Sequence, residues 1–130
     1  MVNSIFELDE YLARGANAIE IDLAFHNNGT VKQVYHGYPC DCLRVCDERE
    51  NFARYLNHLR DLSNPNHMNY QKSLTMLFLD LKLGDVARKD KYKAGEEIAK
   101  YLITHLWNKD LSEPHLEVLL SVPILQILRL

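Results

Sequence analysis

Several features that would assign a function class directly are missing from this sequence. Asp and Glu number 18 against 15 Lys and Arg, so no excess of positive charge favours a nucleic-acid partner. No apolar run reaches the roughly 18 residues that a transmembrane segment needs, and the start lacks the basic and apolar regions of a signal peptide. Repeats and low-complexity tracts are absent too. The 130 residues are expected to form one ordinary globular domain.

The cysteines are informative because all three lie close together. Cys40, Cys42 and Cys46 form a cluster that indicates either a metal-binding knuckle or a loop closed by a disulfide bond. A zinc site usually takes four ligands in two separated pairs, and no second pair with that spacing follows. The disulfide interpretation predicts an oxidising compartment, and therefore secretion, and leaves one cysteine without a partner in this chain.

The spacing of apolar residues predicts alternating helices and strands. Helices are expected over residues 4–14, along an apolar stripe from 52 to 62, and over 91–107; strands are expected over 18–25, 30–36, 74–83 and 116–122. Asp47, with Glu50 three residues later, predicts a capping box at the start of the second helix. The alternation predicts an α/β fold with a parallel sheet and helices packed outside it.

Charged residues interrupt two of these strands where apolar residues are expected. Glu20 and Asp22 are two residues apart, so both point to one face, and Asp80 and Lys82 repeat the arrangement in a segment that reads as buried on both faces. A charge on a buried strand is costly unless it is paired or bound to a metal. Three carboxylates on neighbouring strands therefore favour a hard cation such as Mg²⁺, near the strand ends where active sites collect.

Structural alternatives compete with this site. Glu20 and Asp22 could face solvent on an edge strand. Asp80 and Lys82 could form an internal salt bridge. A lone histidine is more often structural than catalytic, but His36 ends an extended run just before the cysteine cluster. A rigid loop there would suit general acid–base work, which needs an imidazole held within hydrogen-bond reach of the substrate.

Four segments together resemble the sphingomyelinase D (phospholipase D) toxins of spider venoms and their arachnid relatives. They are residues 1–4 (Met-Val-Asn-Ser), 15–22 (Gly-Ala-Asn-Ala-Ile-Glu-Ile-Asp), 35–42 (Tyr-His-Gly-Tyr-Pro-Cys-Asp-Cys) and 78–82 (Phe-Leu-Asp-Leu-Lys). The similarity covers nearly all of the chain up to Val122. The stretch around His36 is highly specific, whereas Glu-x-Asp alone is shared with glycerophosphodiester phosphodiesterases generally.

The resemblance implies that residues 1–130 are one incomplete domain, about the first half of a TIM (β/α)8 barrel without its first strand. Cys40 and Cys46 would close the catalytic loop, and Cys42 would pair with a cysteine outside this chain. In the family, the second catalytic histidine directly precedes the residue that matches Met1, so it is expected to be missing here. We expect the protein to be a monomer. We expect the isolated chain to be weakly folded and nearly inactive, since an open half-barrel exposes sheet edges.

The resemblance also implies a chemistry. Glu20, Asp22 and Asp80 match the carboxylates that hold Mg²⁺, His36 matches a catalytic histidine, and Lys82 matches a residue that contacts the substrate phosphate. Such secreted enzymes act at membrane surfaces on sphingomyelin and lysophosphatidylcholine. They expel choline and form a cyclic phosphate in a lyase-like reaction. The competing expectations are a glycerophosphodiester phosphodiesterase and an inactive, secreted lipid-binding homologue.

Overall fold

One mixed sheet with helices packed on one of its faces makes up the part of the chain that the structure describes. The structure, a computed structural model, describes residues 1–40, 46–109 and 116–122. In chain order its elements are α1 (Ile5–Ala13), β1 (Ala18–Phe25), β2 (Val31–Tyr35), β3 (Arg49–Glu50), α2 (Phe52–Ser63), β4 (Met76–Lys82), a 3₁₀ turn (Arg88–Asp90), α3 (Lys91–Tyr101), a π-helical turn (Leu102–Leu106) and β5 (Glu117–Ser121). The strand order is β3-β2-β1-β4-β5. The α/β class is thereby confirmed, whereas closure into a barrel stays a prediction.

The first helix and strand follow the sequence closely. Ser4 caps α1 by accepting a hydrogen bond from the Glu7 amide at 3.3 Å, and the helix ends just before Gly15, whose φ is +92°. A glycine with positive φ is a common helix terminator because it has no Cβ to clash. The strand predicted over residues 18–25 is confirmed with the same bounds.

The start of the second helix differs from the prediction. Asn51, not Asp47, is the N-cap of α2, and its side chain accepts a hydrogen bond from the Arg54 amide at 2.9 Å. The predicted capping box is therefore wrong. Arg49 and Glu50 instead pair with the end of β2 as β3, so their backbone groups are used by the sheet and the helix begins later.

The sheet is mixed rather than wholly parallel. β1, β4 and β5 run parallel to one another, as predicted for strands joined through helices. β2 is antiparallel to β1 because the Asn27–Gly29 turn joins them as a hairpin. Gly29 lies at φ +82°, and its α-carbon packs tightly against the start of α3.

The two faces of the sheet differ in burial. On β4, Leu77, Leu79 and Leu81 are buried under the helices, whereas Met76 and Phe78 on the other face are only half-buried. The expectation that this strand is buried on both faces is therefore wrong for the described residues, which cover one face only. A cavity of about 250 Å³ lies on the open face, lined by Ala18, Ile19, Glu20, Met76 and Phe78.

The last strand forms where predicted but is not buried. β5 pairs with β4, and within the described residues it is one of the two edge strands of the sheet. Leu119 is 49% exposed and Leu120 is 47% exposed, and only Val118 of this strand packs against the core. None of the described helices combines the length and hydrophobicity needed to cross a bilayer.

Candidate active site

The register of the two central strands brings the predicted charged residues together. β1 and β4 pair in parallel with Asp22 opposite Asp80 and Ala24 opposite Lys82. Side chains that are opposite one another in a parallel pair lie on the same face. The two carboxylates and the amine therefore share the open face, toward the carboxyl end of β4. β5 adds Ser121 at the level of Asp80.

Lys82 is held between the two carboxylates. Its Nζ lies 2.9 Å from Asp22 Oδ1 and 2.6 Å from Asp80 Oδ2. Asp22 is almost fully buried at 1% exposure, whereas the Lys82 side chain is 36% exposed. The internal salt bridge considered for Asp80 and Lys82 is thus present, and it extends to Asp22.

The surroundings change the acidity of Lys82. Burial lowers the pKa of its ammonium group, but hydrogen bonding to Asp22 and Asp80 and the charges of both carboxylates outweigh this effect. The net result is a pKa above the ordinary lysine value. Lys82 is therefore a fixed positive charge at neutral pH, which suits it to an anionic ligand.

The carboxylates of Asp22 and Asp80 supply two of the oxygen ligands that a hard cation needs. Asp22 Oδ1 is buried and has no hydrogen-bond partner with acceptable angles among the described residues, although Lys82 Nζ is within ion-pair distance. Carboxylate oxygens of this kind are the ligands that Mg²⁺ prefers. Within residues 1–40, 46–109 and 116–122, however, no three His, Cys, Asp or Glu side chains converge on one point.

Glu20 is the carboxylate that stands apart. It lies one strand repeat before Asp22 on the same face, but its side chain is 48% exposed and its nearest ion-pair contact is the Met1 amino group at 3.8 Å. The structure therefore brings Asp22, Asp80 and Lys82 together and leaves Glu20 beside them. Its role as a third ligand stays a prediction.

His36 lies at the end of β2, beside the central strands. β2 and β1 pair with Val34 opposite Leu23, and extending this register places His36 opposite Ile21, which points to the helix-covered face. Its Nδ1 lies 2.7 Å from the Gly37 carbonyl oxygen, which fixes the orientation of the ring. The strand register therefore does not bring His36 to the face of Asp22, and the catalytic role of His36 stays a prediction.

A disulfide bond closes the loop that follows His36. Cys40 and Cys46 are bonded, with their α-carbons 5.4 Å apart, so this predicted pair is confirmed. The Gly37 amide also donates a hydrogen bond to the Cys46 carbonyl at 3.3 Å, which ties the loop to the end of β2. Cys42 lies outside the described residues. The zinc-knuckle alternative loses two of its three thiolates to the disulfide.

Asn3 is a site residue that the sequence did not reveal. Its side chain contacts Asp22 twice and is 5% exposed. In the sequence it looked only like one of two candidate caps for α1, and Ser4 fills that role. The one available signal was that Asn3 directly precedes the N-cap Ser4. At that position its side chain is not needed to cap the helix and is available for a contact elsewhere.

The fold and the site together define a mixed α/β protein with a partly buried cluster of acidic and basic side chains toward the ends of parallel strands. The model of the dermonecrotic toxin SPH family matches residues 1–128, and the chain belongs to that family.

Individual relatives agree with this assignment. The chain is 43% identical over 130 residues to dermonecrotic toxin LhSicTox-alphaVI1i of Loxosceles hirsuta, covering 100% of this chain and 47% of the relative. It is 38% identical over 122 residues to dermonecrotic toxin SpeSicTox-betaIB1a of Sicarius peruensis, covering 94% of this chain and 45% of the relative. It is 40% identical over 125 residues to dermonecrotic toxin LcsSicTox-betaIC1 of Loxosceles cf. spinulosa, covering 96% of this chain and 46% of the relative. The chain therefore spans about half the length of these relatives.

Proposed function

We propose that this chain carries the metal-binding and phosphate-binding groups of a Mg²⁺-dependent phospholipase D of the sphingomyelinase D type. The observation that carries the proposal is the buried Asp22 carboxylate, set beside Asp80 and Lys82 on neighbouring strands. A buried carboxylate needs a compensating positive charge. Membership of the dermonecrotic toxin SPH family supports the same assignment.

The substrate that we propose is a choline phospholipid, either sphingomyelin or lysophosphatidylcholine, presented at a membrane surface. The protein would meet it as a secreted monomer. The Cys40–Cys46 disulfide supports secretion, because such bonds persist in oxidising compartments. It also favours this enzyme class over a glycerophosphodiester phosphodiesterase, in which the closed cysteine loop is not expected.

The proposed reaction expels choline and leaves a cyclic phosphate. A hydroxyl oxygen of the substrate forms the new bond to phosphorus, and the bond between phosphorus and the choline oxygen breaks. Glu20, Asp22 and Asp80 are the residues that would hold Mg²⁺, which when bound supplies Lewis-acid stabilisation of the phosphoryl oxygens. Asp22 contributes the best-fixed of these carboxylates, since it is the most deeply buried.

Lys82 and His36 would bind and protonate the reacting groups. The Lys82 ammonium, held by two carboxylates and still one-third exposed, would offset the negative charge that develops on the phosphate. The His36 imidazole would take the proton of the attacking hydroxyl or return one to the choline oxygen, and a second acid–base group would complete the transfer. The disulfide-closed loop would keep His36 in place while this occurs.

We also propose that the sheet belongs to a (β/α)8 barrel whose interior is the open face. The β1-α2-β4-α3-β5 succession repeats strand and helix as such a barrel does. The charged site lies on this face, toward the carboxyl ends of the strands, which is where barrel enzymes place their active sites. A complete barrel needs about 250 residues, in keeping with relatives about twice as long as this chain.

Product analysis by phosphorus NMR tests the proposed reaction. The protein at its natural length, incubated with sphingomyelin and Mg²⁺, is expected to release choline and to convert the diester signal into that of a cyclic phosphate. A glycerophosphodiester phosphodiesterase would instead give a linear phosphate monoester from glycerophosphocholine and leave sphingomyelin intact. That second pattern, or binding of the lipid without any product, would overturn the proposal.

A further inference from the structure

We infer that Asn3 is the positioning residue of the cation site: its carboxamide holds the Asp22 carboxylate at two points, so that Asp22 Oδ1 is the oxygen presented to the cation. The inference rests on the proposed function, because it assigns a residue to the Mg²⁺ site proposed there. Asn3 would not itself touch the cation or the substrate.

The contact between Asn3 and Asp22 is bidentate and buried. The Asp22 amide donates to Asn3 Oδ1 at 2.9 Å, and Asn3 Nδ2 donates to Asp22 Oδ2 at 2.9 Å. The two residues are 5% and 1% exposed. Because a backbone N–H can only donate, it fixes which end of the carboxamide is oxygen, and the NH₂ group must then face the carboxylate.

This clamp distinguishes the two oxygens of Asp22. Oδ2 accepts the hydrogen bond from Asn3, whereas Oδ1 has no hydrogen-bond partner with acceptable angles among the described residues. Oδ1 is also the oxygen beside Lys82 Nζ, at 2.9 Å, on the side where Asp80 lies. Rotation of the carboxylate would break the Asn3 hydrogen bond, so Oδ1 stays directed toward Lys82 Nζ and the side where Asp80 lies.

The segment that carries Asn3 is held in place independently of the Asn3 side chain. The Val2 amide donates to the Glu20 carbonyl at 2.7 Å, and the Tyr55 hydroxyl donates to the Val2 carbonyl at 2.8 Å. The Asn3 amide donates to Glu7 Oε2 at 2.9 Å. Truncating Asn3 at Cβ keeps all three backbone contacts, so Asn3→Ala tests the clamp rather than the position of the segment.

The test is calorimetric titration of the protein at its natural length with Mg²⁺ alone, comparing the wild type, Asn3→Ala and Asn51→Ala. Removing a residue that orients a metal ligand typically weakens metal affinity by about 10–100-fold, and we expect a loss of this size in Asn3→Ala. Asn51→Ala removes the cap of α2, away from the site, and should destabilise the protein without changing Mg²⁺ affinity.

The outcomes separate the inference from the proposed function. If the wild type binds Mg²⁺ and Asn3→Ala binds it equally well, or if both variants lose affinity alike, the role of Asn3 is overturned while the proposed function stands. If the wild type does not bind Mg²⁺, the proposed function fails and the inference fails with it.

A second measurement decides the case in which Asn3→Ala does not fold. In the wild type, the side-chain amide signals of Asn3 in a ¹H–¹⁵N NMR spectrum should shift on Mg²⁺ addition, with the same midpoint as the calorimetric titration. The side-chain signals of Asn51 serve as the internal reference and should not move. Asn3 signals that stay unchanged at Mg²⁺ saturation would overturn the inference.

Discussion

Among the individual residues, Asp22 carries the greatest structural constraint. Its carboxylate is buried, yet it meets a second carboxylate across the β1–β4 pair, and Lys82 is the cation that lets both remain charged. Buried carboxylates of like charge repel strongly unless a cation lies between them. With two carboxylates and one ammonium group, the cluster keeps a net negative charge, which favours a cation over an anion.

The substitution Lys82→Met is expected to destabilise the metal-free protein. Asp22 would keep a buried charge without its cation, and we expect the free energy of unfolding in a chelator to fall by about 1–3 kcal/mol, between the values for an exposed and a buried ion pair. Added Mg²⁺ should restore part of this loss. Urea unfolding measures both effects, with the exposed Lys72→Met as the control. Equal stabilities of the two variants would contradict the assigned role of Lys82.

The pH dependence of the same comparison has a definite sign. The pKa of Lys82 is raised above its ordinary value of 10.5, so its contribution to stability is fully present below that pH and is lost as pH rises through the folded-state pKa. The stability difference between wild type and Lys82→Met should therefore be constant at neutral pH and shrink in strongly alkaline solution. A difference that grew with pH would contradict this account.

Tyr55 gives a separate prediction in the alkaline range. Burial, followed by the charges of Glu7, Asp9 and Glu50, raises its pKa well above 10.0. The unfolded chain thus loses this proton first, and wild-type stability should fall as pH rises above about 10. Tyr55→Phe removes that slope and also leaves the Val2 carbonyl without its hydroxyl donor, at a cost of about 1–2 kcal/mol at neutral pH.

Unfolding in urea at neutral and alkaline pH measures both parts of this prediction. Tyr38→Phe is the matched control, because Tyr38 is 92% exposed and its ring meets mostly solvent. A Tyr55→Phe variant with the wild-type alkaline slope would show that the buried phenol is not the group responsible.

Residue-scale prediction from sequence succeeded where strand periodicity applied. The two-residue spacing predicts that Glu20 and Asp22 share one face of their strand, and that Asp80 and Lys82 share one face of theirs. Pairing of the two strands in a parallel sheet then brings Asp22 close to Lys82. The Asn3–Asp22 contact joins residues 19 apart through side-chain atoms, and no periodicity links an asparagine before a helix to a strand residue. Such contacts depend on how the helix is placed against the sheet.

At the scale of elements, the hairpin turn between β1 and β2 also fixes the position of α3. A Cβ on Gly29 would lie 2.5 Å from the Asp90 carbonyl oxygen and 3.2 Å from the Ala94 nitrogen. The Ala87 amide donates to the Asn27 carbonyl at 2.9 Å, which ties the same turn to the segment before α3. The turn and the helix therefore form one structural unit that only glycine permits.

The pair Gly29→Ala and Gly95→Ala tests this unit. Gly29→Ala combines a positive φ with a backbone clash, and we expect it to lower the free energy of unfolding by about 2–4 kcal/mol. Gly95 lies inside α3 with nothing within 4 Å of an added Cβ, so Gly95→Ala should raise stability by about 0.5–1 kcal/mol. Denaturant unfolding of both variants checks the prediction, and a neutral Gly29→Ala would contradict it.

Element boundaries were predictable where a local signal was unique. Ser4 and Gly15 bracket α1, and the Asn27–Gly29 turn separates β1 from β2. The second helix was predicted correctly except for its start, because Asp47 and Asn51 both carry a capping side chain and the pairing of residues 49–50 with β2 decided between them. The π-helical turn at Leu102–Leu106 extends α3 with a different hydrogen-bond pattern, which apolar spacing does not report.

At the scale of the whole molecule, the open face of the sheet is the most informative feature. Apolar side chains such as Phe78 and Leu119 are partly exposed there, next to a partly buried charged cluster. Alternation of helix and strand was enough to predict the α/β class. It could not show how far each face is covered, because burial of a strand depends on distant segments as well as its own residues.

The open face leads to a prediction about the natural protein. We expect further residues to cover it, and the mass of the intact natural protein to be about twice the 15.1 kDa of this chain, as the length of its relatives suggests. Mass spectrometry with peptide mapping across Met1 checks this. A mass equal to that of this chain would instead favour a secreted, inactive homologue.

The most direct test of the proposed function is choline release from sphingomyelin by the protein at its natural length, measured with a chelator and after Mg²⁺ is restored. We predict activity that disappears with the chelator, returns with Mg²⁺, and is abolished by Asp80→Asn but kept in the surface variant Asp61→Asn. Choline release that is unaffected by chelation and by Asp80→Asn, or no release by the wild type under any of these conditions, would contradict the account.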